Sequence, residues 1–132
     1  MNLNFKKEER IYKRDDISLL FEKGSSFLIH PFKVLHYEVP LDSENPSSIK
    51  FGVSIPKKKF KKAVDRNLLK RRSREAYRLN RNELKNFLLA QNKCLLLMVI
   101  YVDKSTVDYA TIEHKIILTL QRLQGIYAEN NQ

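Results

Sequence analysis

The chain has 132 residues, enough for one domain with its own core, and 42% hydrophobic content with only 3 Gly and 4 Pro excludes a long disordered protein. Twenty-five Lys and Arg against 15 Asp and Glu give a net charge of +10, and one cysteine, Cys94, leaves no internal disulfide for an oxidising compartment to maintain. The first residues are polar, and no run approaches the ~20 apolar residues of a spanning helix, so a single cytoplasmic domain over residues 1–132, ordered over about 10–127, is expected.

Asp15 to Lys23 (DDISLLFEK) predicts a short helix, with Asp as cap, Ile17, Leu20 and Phe21 at helical spacing, and Gly24 as stop. Phe27 to Val39 is rich in β-branched and aromatic residues and is broken by His30 and Pro31, which predicts two strand pieces joined by a bend. Leu41 to Ser48 is a loop of Asp, Ser, Asn and Pro. Ile49 to Ile55 alternates Ile49, Phe51, Val53 and Ile55 on one face of a strand, and Asn92 to Val102 carries an apolar run suited to a central strand covered on both sides. Tyr109 to Gly125 spaces Ile112, Ile116, Leu120 and Leu123 as an amphipathic helix over the sheet; Gly125 is its expected stop and Ala128 to Gln132 a loose tail.

The charge is concentrated. Lys57 to Arg81 holds 12 basic side chains against Asp65 and Glu75, and the rest of the chain is balanced. This segment reads as a lysine loop followed by a helix. Stepping ~100° per residue puts Arg66, Asn67, Lys70, Arg71, Arg74, Tyr77, Arg78 and Arg81 within an arc of ~140°, with Leu68, Leu69, Ala76 and Leu79 on another. A charged arc is often only a solvated helix face, but this one contains no acid, and unneutralised like charges at i,i+4 destabilise a free helix. Guanidinium forks match phosphate oxygens in pairs, so the arc points to a polyanion, nucleic acid first and an anionic membrane surface second.

The run Phe51-Gly52-Val53-Ser54, a lysine cluster, then Ala63-Val64-x-Arg66-Asn67-x-x-Lys70-Arg71-x-x-Arg74-Glu75 resembles the bacterial ribonuclease P protein subunit, from about Lys13 to Tyr127. The resemblance implies an α/β (α+β) sandwich, with a four-stranded sheet packed by helices in the order αβββαβα. It also implies a left-handed βαβ crossover through the arginine-rich helix, against the right-handed rule. It implies that Lys57, Lys58, Lys62, Arg66, Asn67, Lys70, Arg71, Arg74 and Arg78 bind a catalytic ribonuclease P RNA. That RNA would supply the active site and its Mg²⁺, with no metal on the protein and no obligate protein partner. A cleft holding the single-stranded 5′ leader of precursor tRNA is implied at Phe21, Phe32, His36, Tyr37 and Ser54, where aromatic faces would stack on bases without demanding a sequence. Ile17 stands where the family commonly has an aromatic residue.

Chemistry of its own is not evident in the chain. The acids are scattered, His30, His36 and His114 show no ligand spacing with one another or with Cys94, and there is no Gly-rich phosphate loop. The expected activity is therefore endonucleolytic removal of a tRNA leader with the catalytic groups on RNA. The alternatives are a ribosomal or ribosome-assembly protein and, more remotely, a DNA-binding regulator.

Overall fold

A computed structural model describes residues 6–129. After a 3-10 turn at Lys7–Glu9, the elements run α1 (Arg14–Lys23), β1 (Ser25–Ile29), β2 (Phe32–Pro40), β3 (Ile49–Ser54), α2 (Ala63–Asn80), α3 (Asn82–Ala90), β4 (Lys93–Tyr101) and α4 (Tyr109–Glu129). The four strands form one sheet in the order β1-β2-β4-β3. β1 and β2 make an antiparallel hairpin through His30 and Pro31, β4 is antiparallel to β2, and β3 lies parallel to β4. The parallel pair is joined by the crossover through α2 and α3.

Period-two alternation divides the sheet into two faces. Val34, Phe51, Leu97 and Val99 pack with Leu69 and Tyr77 of α2, Leu84 of α3 and Ile116 of α4 in the larger core. On the other face, Leu35, Leu96 and Met98 pack with Leu20 of α1 in a smaller one. β4 is buried on both faces because it sits between β2 and β3 with helices on each side. Each leucine so buried stabilises the fold by about 1.5–3 kcal/mol. Cys94 belongs to this strand, and burial pushes its thiol up to about 11, the behaviour of an inert core residue.

Several expectations need correction. Helix α1 starts at Arg14 with no side-chain cap, and the first-turn Asp16 instead accepts from the buried Lys50 Nζ of β3 at 3.1 Å. Gly24 does end α1, though through close approach: a Cβ there would lie 2.3 Å from the Leu20 carbonyl oxygen. The connection after α2 is a second helix, α3, whose Leu84 and Leu88 are buried; their i,i+4 spacing was a signal that the expected element order left out. α4 runs through Gly125 to Glu129, because Tyr127 continues the buried stripe. Of the expected tail, 128–129 is therefore helical and 130–132 lies outside the described residues.

Tyr127 also explains His36. A hydrogen bond of 2.8 Å joins the Tyr127 hydroxyl to His36 Nδ1, and burial, with the nearby Arg122 charge, lowers the histidine's pKa. A neutral buried histidine contributes stability that is fully present above its ordinary value near 6.5 and is lost as pH falls through the lowered folded value. Denaturant unfolding of the wild type should therefore show stability declining as the pH falls below about 6.5, with a flatter profile for His36→Gln. Parallel profiles would remove His36 as the source.

Candidate nucleic-acid interface

The buried stripe of α2 is Leu69, Ser73, Ala76 and Tyr77, rotated by roughly a fifth of a turn from the leucine arc toward the arginines. Two contacts set this phase. The Tyr77 ring stacks on Phe51 of β3, with centroids 3.9 Å apart and planes within 2°. Arg81, just past the end of α2, is 1% exposed and faces the Glu9 carboxylate at 3.4 Å. Tyr77 and Arg81 thus leave the expected solvent arc, and Leu79 replaces them at the surface.

The remaining arc divides by what each side chain already holds. Among the described residues, the side chains of Asn67, Lys70, Arg71 and Arg74 make no hydrogen bond or ion pair, and Asn67, Arg71 and Arg74 are exposed. Arg78 is paired with Glu75 one turn back, with Nη2 2.6 Å from Oε1. Arg72 donates to the Val107 carbonyl at 2.7 Å.

Arg66 is turned back on the lysine loop. Its Nη1 donates to the carbonyls of Phe60 at 2.7 Å and Lys61 at 2.9 Å. Phe60 itself is buried edge-on against Tyr101, and Lys59 Nζ donates to the Val102 carbonyl, so the loop is pinned from within. Lys57, Lys58 and Lys62 remain exposed beside the helix. With Phe60 as its anchor, the loop presents lysines on either side of one buried ring.

Next to the arginine face lies a groove lined by Lys7, Arg10, Ile11, Tyr12, Ile17, Phe51, Gly52, Val53, Arg74 and Met98. Its floor is the half-buried end of β3 with Met98, where Gly52 has no side chain to fill the space: a Cβ would meet Met98 Cε at 3.2 Å. Its outer wall is the segment before α1. Arg10 bridges to Phe51, the Ile11 N–H donates to the Phe51 carbonyl at 3.2 Å, and Glu9 is buried with Arg81 and Lys85. Burial alone would raise the Glu9 pKa, but hydrogen bonds from Lys85 and the Lys6 N–H, with the charges of Arg81 and Lys85, hold it below the usual carboxylate value. A neighbouring depression lined by Arg10, Asn67, Lys70, Arg71, Arg74, Glu75 and Arg78 shares Arg10 and Arg74 with the groove. Apolar floor and cationic face are therefore one continuous surface.

The structure brings together the basic residues read from the sequence but does not gather the five expected cleft residues in one groove. Phe32 is 0% exposed and His36 is buried, both on the sheet face opposite α1. Tyr37 and His36 nevertheless share a separate depression with Ser25, Glu38, Lys93 and Tyr127. Phe21 is 56% exposed on α1 but is not part of the groove's lining. Ser54 follows Gly52 on the same strand face, beyond the lining residues. Reading missed Lys7, Arg10, Ile11 and Tyr12, which precede the recognised segment.

A family model described as Ribonuclease P matches residues 5–124. The chain belongs to the ribonuclease P protein family. A ribonuclease P protein component from Porphyromonas gingivalis is 35% identical over 120 residues, covering 90% of this chain and 85% of the relative. One from Thermotoga maritima is 31% identical over 129 residues, covering 95% and 100%. Among solved structures, the Thermotoga maritima RNase P protein superposes with a TM-score of 0.68 at 28% identity, over 86% of this chain and 96% of that one. A Staphylococcus aureus RNase P protein mutant with defective mRNA degradation activity shares the fold, at TM-score 0.70 and 21% identity over 89% and 90% of the two chains. The α+β sheet architecture is that of ribonuclease P proteins.

Arg66 is the first arginine of the family motif, and its bonds give it a role separate from any ligand. Arg66→Ala should release the loop, read as faster tryptic cleavage at Lys59, Lys61 and Lys62 with little change in global unfolding. Arg66→Lys, which cannot present the planar fork, should restore protection only in part. Equal cleavage of all three proteins would show that the loop is held without it.

Proposed function

We propose that this chain is the protein component of a ribonuclease P ribonucleoprotein, which binds the catalytic RNA and the 5′ leader of precursor tRNA and promotes endonucleolytic removal of that leader. The observation that carries the reading is the continuity of the two surfaces through Arg10 and Arg74. Arg71, Arg74, Lys70 and Asn67, with Lys57, Lys58 and Lys62, would neutralise phosphates of the catalytic RNA, each contact releasing counterions. The adjoining groove suits a single strand, whose bases can meet an apolar floor while its phosphates meet the flanking cations.

The chemistry would belong to the RNA. Among the described residues no group of three or more His, Cys, Asp or Glu could hold a metal ion. Mg²⁺ would act on the RNA subunit, and this chain's part would be to bind and orient. The reading carries with it a cytoplasmic setting and the left-handed sense of the β3-to-β4 crossover. Among the described residues, no helix is long and apolar enough to cross a membrane.

Cleavage of a precursor tRNA by a cognate ribonuclease P RNA at low Mg²⁺, with and without this protein, tests the reading. Strong stimulation should be seen, and its absence would favour a ribosomal or assembly role. A second measurement separates the cations. Arg71→Ala and Arg74→Ala should each lower the salt slope of RNA binding by about one unit, the loss expected per phosphate contact. Arg78, already paired with Glu75, should change it less. A slope unchanged by Arg74→Ala would remove that residue from the interface.

A further inference from the structure

Among the described residues the groove is lined by two aromatic rings, Phe51 and Tyr12, which differ in exposure. Phe51 has its ring stacked against Tyr77 at 3.9 Å, so that contact already occupies one of its faces within the core. Ile17, on the α1 wall, is not aromatic, and Phe21 lies outside the lining. Tyr12 is 52% exposed on the groove's rim.

Tyr12 is also held in position. One residue before it, the Ile11 N–H is hydrogen-bonded to the Phe51 carbonyl at 3.2 Å; two residues after it, α1 begins. Three residues before it, Glu9 is 3% exposed and anchored between Arg81 and Lys85, on the far side of the molecule's sequence. A ring on such a mount loses little conformational freedom when it binds. Its surroundings complete the chemistry of a nucleotide: Lys7 Nζ stands 5.1 Å from the ring centroid, and Arg10 and Arg74 line the same groove. A base can lie on the ring while these cations take the adjacent phosphates. Lys7 over the ring would move aside toward a phosphate, giving up only the weak attraction of an exposed cation–π pair.

We propose that Tyr12 is the base-stacking residue of this groove, taking one unpaired nucleobase of the leader RNA whatever its identity. The assignment rests on the function proposed above. Sequence tolerance follows from the interaction, since every base has a π face and the ring reads no base edge.

The test uses the complete ribonucleoprotein assembled with a cognate ribonuclease P RNA. Affinities are measured for a precursor tRNA, for the matching mature tRNA, and for precursors abasic at one leader position at a time. Tyr12→Phe should bind all of them as the wild type does. Tyr12→Ala should lose on the order of tenfold for the precursor and nothing for the mature tRNA. At one leader position, removing the base should cost the wild type the same factor and cost Tyr12→Ala nothing further. Because Tyr12 is exposed, the variants should unfold at the wild-type denaturant midpoint. An unchanged precursor affinity for Tyr12→Ala overturns the proposal, and so does an equal loss for both tRNAs or a loss at every abasic position independent of Tyr12. A wild-type assembly that does not favour precursor over mature tRNA overturns the leader reading itself, and the role of Tyr12 falls with it.

Discussion

Phe51 is where three parts of this protein meet. Its ring carries Tyr77 and so sets the rotation of α2, while its backbone pairs with Arg10 and Ile11 and so fixes the segment that walls the groove. Rotate α2 to bury the leucine arc fully and Tyr77 leaves Phe51. Arg81 would then leave Glu9, and its buried guanidinium would lose that carboxylate at a cost of several kcal/mol, while Glu9 kept only Lys85 of the two. The phase of the helix, the position of its arginines and the shape of the groove are one geometric decision, made at one residue of an edge strand.

Charge in this molecule is sorted by commitment. Arg66, Arg72, Arg78 and Arg81 hold carbonyls or carboxylates of the protein itself, whereas Asn67, Lys70, Arg71 and Arg74 have no such partner among the described residues. The two sets interleave along one helix, so a basic motif read as a block mixes side chains held by the protein itself with side chains that are not. Losing one of the held side chains changes the shape presented to RNA; losing a free cation changes only the charge.

Much of the fold was legible because its signals are local. The alternation in Ile49 to Ile55, the apolar run of β4, the break at His30 and Pro31 and the stripe of α4 each specify an element from neighbouring residues alone. The clustering of basic residues on α2 was legible for the same reason, since helical spacing gathers them. The groove was not. Phe32 and His36 look suited to base stacking on a strand, but which face of that strand meets solvent depends on tertiary packing: Phe32 is buried against Tyr101, and Tyr127 of α4 bonds to His36. Tyr12 and Arg10 sit in a polar stretch with no periodicity, and only the pairing of residues 10 and 11 with Phe51 gives them a place. Gly125 failed as a stop because glycine permits an end without requiring one, and the buried Tyr127 beyond it rewards continuing.

The groove's outer wall is built from the first residues of the described chain and anchored to nearly the last part of the crossover: Glu9 and Lys85 are 76 positions apart. Such a contact cannot form early in folding, because its closure entropy must be offset by the intervening strands and helices already being in place. The arginine face, by contrast, is a property of one helix and its loop. A chain emerging from the ribosome would therefore possess its electrostatic attraction for RNA before it possesses the groove, and only a completely folded molecule would present both surfaces at once.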